Sequence, residues 1–301
     1  MTTPTNEQDW LAERFETHRS HLRGVAYRML GSLSESDDAV QEAWIRLSRA
    51  DTSDVENMRA WLTTVVGRVC LNRLRTRRTR REGPMDAYVP DPIVGPGRGL
   101  DPEEEALVGD SIGLALLVVL ESLSPAERIA FVLHDVFAVP FDDIAPIVGR
   151  SSAATRQLAS RGRRRVRGAP VPDADLDGQW AVVDAFLAAS RDGDFDRLLD
   201  ALDPEVTLRS DGGTTRPGLI TLVHGAQAVA TSAMAFRAVA ANATRSLING
   251  APGGVAWTPD GRLFAVIAFT VTGGRIVEID VLADPERLAL LDLAVPSERG
   301  V

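Results

Sequence analysis

Residues 140–168 read PFDDIAPIVGRSSAATRQLASRGRRRVRG. The first half predicts a short helix from about Phe141 to Val148 that stops at Gly149, the residue type that takes a left-handed C-cap most readily. Ser151 or Ser152 then offers a hydroxyl to cap a second helix only three or four residues later. Helix, tight glycine turn, helix is a helix-turn-helix. On its second helix Ala154, Leu158 and Val166 are expected on the buried stripe, with Arg156, Ser160, Arg163, Arg164 and Arg167 opposite. Residues 151–168 hold six arginines and no acid. A recognition helix enters a major groove near its N-terminal end. Thr155, Arg156, Gln157 and Ser160 are therefore candidates for base edges, and Arg163 and Arg164 for phosphates. Arginine and glutamine fit guanine and adenine bidentately. Gly162 is the anomaly, since glycine inside a helix is worse than alanine by about 1 kcal/mol.

Upstream, Ser124-Pro125 followed by Glu127 is the signature of a helix start, and that helix is expected to run to about Phe137. Before it, an acidic start, DPEEEA, leads into an apolar stripe assigned to Ile112, Leu116, Val119 and Leu123.

Residues 10–81 carry helical periodicity throughout, as in Val40/Trp44/Leu47 and Trp61/Val65/Val69, so a small bundle is expected. Both tryptophans lie on apolar stripes and are read as core rather than base-stacking platforms. A polar face of Asp37, Asp38, Gln41, Glu42 and Arg46 follows an expected capping box at Ser34–Asp37. The last helix concentrates Arg68, Arg73, Arg75, Arg77, Arg78, Arg80 and Arg81 without an intervening acid, a density that repels itself unless phosphates neutralise it.

Composition bounds the rest. The chain has 301 residues, 45% hydrophobic and 25% charged, enough for two or three soluble domains. The polar start MTTPTNEQDW and the brevity of the longest apolar run, IGLALLVVL, predict neither an export signal nor a membrane anchor, hence a cytoplasmic protein. The single cysteine, Cys70, is read as a buried structural thiol. Every basic residue is arginine, whose fork suits phosphate and guanine. Residues 1–168 balance 23 arginines against 24 acids, whereas residues 169–301 set 10 against 18. Pro/Gly-rich seams at 83–102 and 168–178 separate three segments. Residues 1–168 show no phosphate-binding glycine loop, metal cluster or nucleophile–base pair, so no catalytic residue, metal or cofactor is expected.

The stretches ERFETHRSHLRGVAYRMLGSLSESDDAVQEAWIRLSRA, NMRAWLTTVVGRVCLNRLRTRR and LSPAERIAFVLHDVFAVPFDDIAPIVGRSSAATRQLASRGRRRVR resemble regions two and four of extracytoplasmic-function sigma factors, the promoter-recognition subunits of bacterial RNA polymerase. The resemblance implies that Asp37, Asp38, Gln41 and Glu42 dock on the clamp helices of the largest polymerase subunit. It implies that Asn57 to Arg75, with Arg68, Asn72, Arg75, Arg77 and Arg78 as contacts, reads and holds the melted minus-ten element. Arg156, Gln157 and Ser160 would face the minus-thirty-five element with region four at the polymerase flap, and the linker would thread toward the RNA exit path. A polymerase-dependent monomer that melts DNA without hydrolysis is the implied activity.

The final segment predicts an amphipathic helix, a short helix, a strand at Val206–Ser210 and β-rich stretches GVAWT, RLFAVIAFTVTG and RIVEIDVLADP, with turns at Pro259-Asp260-Gly261 and Gly273-Gly274. It resembles SnoaL-like, NTF2-like domains, an α+β cone with a curved antiparallel sheet, as carried by sigma factors of the SigJ type. Tyr88-Val89-Pro90-Asp91-Pro92, Asp211-Gly212-Gly213 and Asp284-Pro285-Glu286-Arg287-Leu288 are similar to three motifs of that subgroup, and Thr214 departs from a third glycine. The resemblance implies that this domain regulates in cis, through Tyr88, Pro90, Asp91 and Pro92 on one side and Asp211, Gly212, Gly213, Asp284 and Pro285 on the other. His224, a lone histidine without an identifiable partner, is read as structural.

The expected fold is multidomain: an all-α region-two domain at 8–82, a linker at 83–102, a helix-turn-helix domain at 103–168, a linker at 169–178 and the cone at 179–295. A small ligand in a vestigial pocket of the C-terminal domain stays open, as do two other readings: a stand-alone helix-turn-helix regulator sensing a small ligand, and a cyclase or isomerase fused to a DNA-binding domain.

Overall fold

A computed structural model describes residues 4–51, 55–80, 87–95, 113–240, 242–291 and 293. The chain divides into two compact units. The first holds everything described up to Arg80 and from Val119 to Gly168, and the second holds residues 87–95, 113–118 and those from Ala169 onward.

The first unit is all helix. Helix α1 (Pro4–Leu30) ends at Gly31 with φ 62°, and Ser32 then caps α2 (Leu33–Leu47) by accepting from the Glu35 amide at 3.5 Å. The cap is thus two residues earlier than the expected Ser34, because the left-handed glycine ends α1 and lets the chain extend at Ser32. Helix α3 (Met58–Arg80) starts where the Asn57 carboxamide accepts from the Ala60 amide. Val40, Ala43, Leu47, Leu62, Val65, Val66 and Val69 are buried, and Trp44 lies 5.3 Å from the Phe15 ring. Cys70 is buried, which pushes its thiol up to about 12.

Helix α4 (Leu114–Glu121) is apolar on every side, so periodicity alone did not select its phase. Leu114, Ala115, Leu117 and Leu120 are buried; of the expected stripe Leu123 is buried, Leu116 and Val119 are only partly so, and Ile112 lies outside the described residues. Ser124 and Glu127 close a reciprocal capping box around Pro125 at the start of α5 (Pro125–Phe131), which continues as a π-turn over Val132–Val136. Helix α6 (Phe141–Val148) ends at Gly149, φ 69°, and Ser151 caps α7 (Ser152–Val166). These helices pack directly on α3: a Cβ at Gly67 would lie 3.2 Å from Leu133 and 3.6 Å from Ile147.

The buried stripe of α7 is Thr155, Ala159 and Gly162, not the expected Ala154, Leu158 and Val166, which are half-buried. Gly162 explains the shift: a Cβ there would lie 2.9 Å from the Cβ of Phe131, so only glycine lets α7 approach α5 this closely.

The second unit is α+β. Helices α8 (Leu176–Asp192) and α9 (Phe195–Ala201) precede β2 (Leu202–Asp211) and β3 (Thr221–His224). Then come α10 (Ala226–Ala235), α11 (Arg237–Ala240), β4 (Ala243–Ile248), β5 (Ala251–Trp257), β6 (Leu263–Thr272), β7 (Arg275–Leu282) and α12 (Pro285–Leu288). With β1 (Val94–Gly95) at one edge, the sheet order is β1-β4-β5-β6-β7-β2-β3. It is mixed rather than antiparallel throughout: the β4–β7 meander returns β7 alongside β2 in the same direction, and that pair is parallel. Strand β1 comes from the linker and pairs with β4. Trp180, Val183, Phe186 and Leu187 of α8 pack with Val206, Phe269, Val271 and Ile279 of the sheet.

Candidate nucleic-acid interface and linker clasp

On α3, Arg68, Asn72 and Arg75 are all exposed and recur at helical spacing, forming one basic face that can follow a nucleic-acid backbone. Arg77 does not join them. Its guanidinium donates to the Leu30 carbonyl at 2.9 Å and pairs with Glu35 at 2.5 Å, tying α3 to the α1–α2 corner. The side chain of Arg78 lies outside the described residues.

On α7, Arg156, Gln157, Ser160 and Arg164 are exposed. The Arg156 guanidinium sits 5.3 Å above the Phe141 ring, which itself stacks 3.7 Å from His134, so the side chain is braced at the end of the helix expected to meet base edges. Thr155 is a correction: it is fully buried and its hydroxyl donates to the Ser151 carbonyl at 2.9 Å, so it faces the bundle instead of a groove. Arg163 pairs with Asp135 at 2.6 Å, while Arg161 and Arg165 reach toward Glu127 at 3.8 and 3.5 Å. Among the described residues neither Arg164 nor Arg167 makes an ion pair.

The acidic face of α2 is exposed but internally balanced. Asp37 pairs with Arg23 at 2.6 Å, Asp38 with Arg73 at 3.3 Å, and Glu42 with Arg46 at 2.5 Å, with Gln41 exposed beside them. Exposed pairs of this kind contribute roughly 0–1 kcal/mol each, so a partner's arginines can exchange for them at little cost.

The third site lies within the second unit and centres on Arg287, which belongs to the Asp284–Leu288 motif but was not among the contact residues expected from it. Its Nε donates to Asp91 at 2.7 Å, its Nη1 to Asp211 at 2.8 Å and its Nη2 to the Val89 carbonyl at 2.6 Å, and the guanidinium stacks 4.8 Å from the Tyr88 ring. Burial opposes its charge, but Tyr88, Asp91 and Asp211 outweigh that and raise its pKa further above the ordinary arginine value. Asp211 also accepts the Val89 amide, and Asn249, at φ 50°, exchanges hydrogen bonds with Ile93 through both its side chain and its amide. Pro90, Asp91, Pro92 and Ile93 are all buried. Gly212 and Gly213 are needed where they stand. A Cβ on Gly212 would overlap the Arg216 carbonyl, and one on Gly213, φ 60°, would overlap the Asp284 carboxylate. Asp284 caps α12 with Pro285 in its first turn, which aims Arg287 at the linker. Thr214, in place of a third glycine, lies past this close approach.

The second unit also contains an apolar cavity of about 360 Å³ that is partly open to solvent. Among the described residues no ionisable side chain lines it. His224 is exposed on the other side of β3 and bonds to Thr207. Among the described residues no group of three or more His, Cys, Asp or Glu could hold a metal ion, and no helix is long and apolar enough to cross a membrane.

Family models for Sigma-70 region 2 and Sigma-70, region 4 match residues 14–80 and 113–166. Across 291 residues, 94% of this chain and 96% of the relative, the protein is 34% identical to the "Probable ECF RNA polymerase sigma factor SigI" of Mycobacterium tuberculosis (strain ATCC 25618 / H37Rv). The chain belongs to the ECF RNA polymerase sigma factors. It is also 42% identical to the ECF RNA polymerase sigma factor SigJ of the same strain over 217 residues, 71% of this chain and 69% of that one. The crystal structure of M. tuberculosis SigJ superposes with a TM-score of 0.76 at 35% identity, covering 92% of this chain and 98% of the other. The relationship therefore extends through the sheet-bearing C-terminal domain. This sigma factor is a transcription initiation factor whose partners are RNA polymerase and promoter DNA.

Proposed function

We propose that this sigma factor is held closed and is released in cis through its linker. The carrying observation is the Arg287 clasp, which buries residues 89–93 against the C-terminal domain. A linker held there is not free to thread toward an RNA exit path, so the clasped chain is the restrained form.

The packing of the first unit supports the same reading. Promoter elements centred near minus ten and minus thirty-five are about 85 Å apart on duplex DNA at roughly 3.4 Å per base pair. The α3 face and the helix-turn-helix, by contrast, belong to one body in which Gly67 touches Leu133. His21 meets Phe137 edge-on at 5.3 Å, and the buried Arg128 donates to the Arg28 carbonyl at 3.4 Å. The two DNA-facing surfaces must separate to serve one promoter, and binding to core polymerase, with α2 on the clamp helices and region four at the flap, supplies the free energy for that.

In the open form Arg68, Asn72 and Arg75 hold the melted minus-ten strand and Arg156, Gln157 and Ser160 read the minus-thirty-five duplex. The work is done in the cytoplasm, beside the chromosome. A cyclase or isomerase needs an acid or base facing its substrate. The apolar lining of the cavity favours a non-catalytic domain.

Run-off transcription with core polymerase tests the clasp. Arg287→Ala and Asp91→Asn should raise yield from a cognate promoter, whereas Val183→Ala, which destabilises the same domain away from the clasp, should not. Unchanged or lower yield from both clasp variants would overturn the reading.

A further inference from the structure

We propose that the cavity of the C-terminal domain is a binding site for an uncharged, hydrocarbon-rich small molecule carrying a single polar function, such as a hydroxyl, carbonyl or amine N–H. At about 360 Å³ it is within the size range of small-molecule sites. Its walls are largely aliphatic, with four aromatic rings among them: Phe186 from α8, Phe236 after α10, and Phe264 and Phe269 from β6. A charged ligand would be stripped of water there with no counter-charge to receive it.

One polar feature is built into this surface. Ser210 on β2 and Thr221 on β3 stand directly opposite one another in register, and both line the cavity. Among the described residues neither hydroxyl has a hydrogen-bond partner. The other hydroxyls of the lining differ: Ser190, Thr231 and Ser232 donate to the carbonyls of Ala233, Gln227 and Ala228. Two idle hydroxyls side by side in an apolar chamber fit one donor or acceptor on a bound molecule.

The site also adjoins the clasp. Ser210 faces the cavity and Asp211, the next residue of the strand, faces the linker. Ala283 lines the cavity and donates its amide to the Asp211 carbonyl at 2.8 Å, and Leu219 lines it while crowding Gly212. Occupancy therefore acts on the residues that position Asp211. This regulatory consequence rests on the clasp reading above, whereas binding itself does not.

The probe is N-phenyl-1-naphthylamine, a neutral molecule with one N–H, titrated into the full-length protein and followed by fluorescence. Saturable one-to-one binding is expected, at least tenfold tighter than that of 8-anilino-1-naphthalenesulfonate, which adds a negative charge to the same skeleton. Ala233→Trp, which fills the chamber, should abolish the signal, and the near-isosteric pair Ser210→Ala with Thr221→Val should weaken it three- to tenfold at unchanged Tm. Absence of saturable binding, equal affinity for the sulfonate, or full affinity in both variants would overturn the proposal. Run-off transcription with and without the probe then reads the coupling: binding without any effect on yield overturns the regulatory consequence and leaves the site standing.

Discussion

Arg287 and Asp211 meet at 2.8 Å, and the same guanidinium also holds Asp91 of the linker. The two carboxylates flank one cation in a setting where Asp91 is 6% and Asp211 8% exposed. Either carboxylate alone would be costly to bury, so the linker motif and the sheet are joined by a charge that neither provides.

Removing that charge leaves both acids uncompensated. Arg287→Ala should lower unfolding stability by about 3 kcal/mol, read by urea denaturation, and should speed proteolytic cleavage near residues 87–95. Arg287→Lys should recover only part of the stability, because an ammonium cannot fork across Asp91, Asp211 and the Val89 carbonyl together.

Glycine-to-alanine changes should separate helix propensity from packing. In an exposed helix Gly→Ala stabilises by roughly 1 kcal/mol. Gly162→Ala should instead destabilise, because the added methyl meets Phe131 at 2.9 Å. Gly213→Ala should also destabilise, through its positive φ and the Asp284 carboxylate. Thermal denaturation checks both, and a rise in Tm for either would contradict the packing described.

Stability should fall as pH rises because of Glu278. Burial, with a further push from Asp280 and partial relief from Arg209, raises its carboxyl to about 7. One of its oxygens is buried without a hydrogen-bond partner. The folded chain therefore holds a proton there that the unfolded chain releases near 4.5, and unfolding becomes easier between about pH 4.5 and 7 as that proton is lost. Glu278→Gln should remove this slope and stabilise the protein at pH 8 by an amount on the order of 1–3 kcal/mol. Urea midpoints across pH 4.5–8 give the measurement, and an unchanged slope would contradict the assignment.

The two α3 arginines should behave oppositely. Arg75→Ala should reduce promoter-dependent transcription without changing Tm, whereas Arg77→Ala should lower Tm, since it removes the link to Glu35 and the Leu30 carbonyl. A run-off assay beside a melting curve separates them.

Much of this was legible from residue type alone. Gly149, Ser151, Ser124 and Glu127 announced the helix-turn-helix because capping is a local chemistry that tertiary structure seldom overrides. The phase of α7 was not legible: Thr155 and Gly162 read as polar surface and anomaly until Phe131 is seen against them. Arginine roles were equally hidden. Arg68 and Arg77 have the same side chain on the same helix, and the positions of Glu35 and the Leu30 carbonyl, more than forty residues away in sequence, tie down Arg77 while Arg68 is exposed. The linker strand β1 has two residues, too few for any period, and its existence depends on Asn249 and β4 more than 150 residues later. Arg287 lay within a motif recognised for its Asp-Pro start, yet its three-way contact becomes apparent only once the linker is folded back.

The most direct measurement is promoter binding and run-off transcription by the purified full-length chain, with and without core RNA polymerase. The account predicts negligible binding of the free chain to duplex promoter DNA and specific initiation once core enzyme is added. Tight, salt-sensitive promoter binding by the chain alone, with no initiation upon adding polymerase, would contradict it.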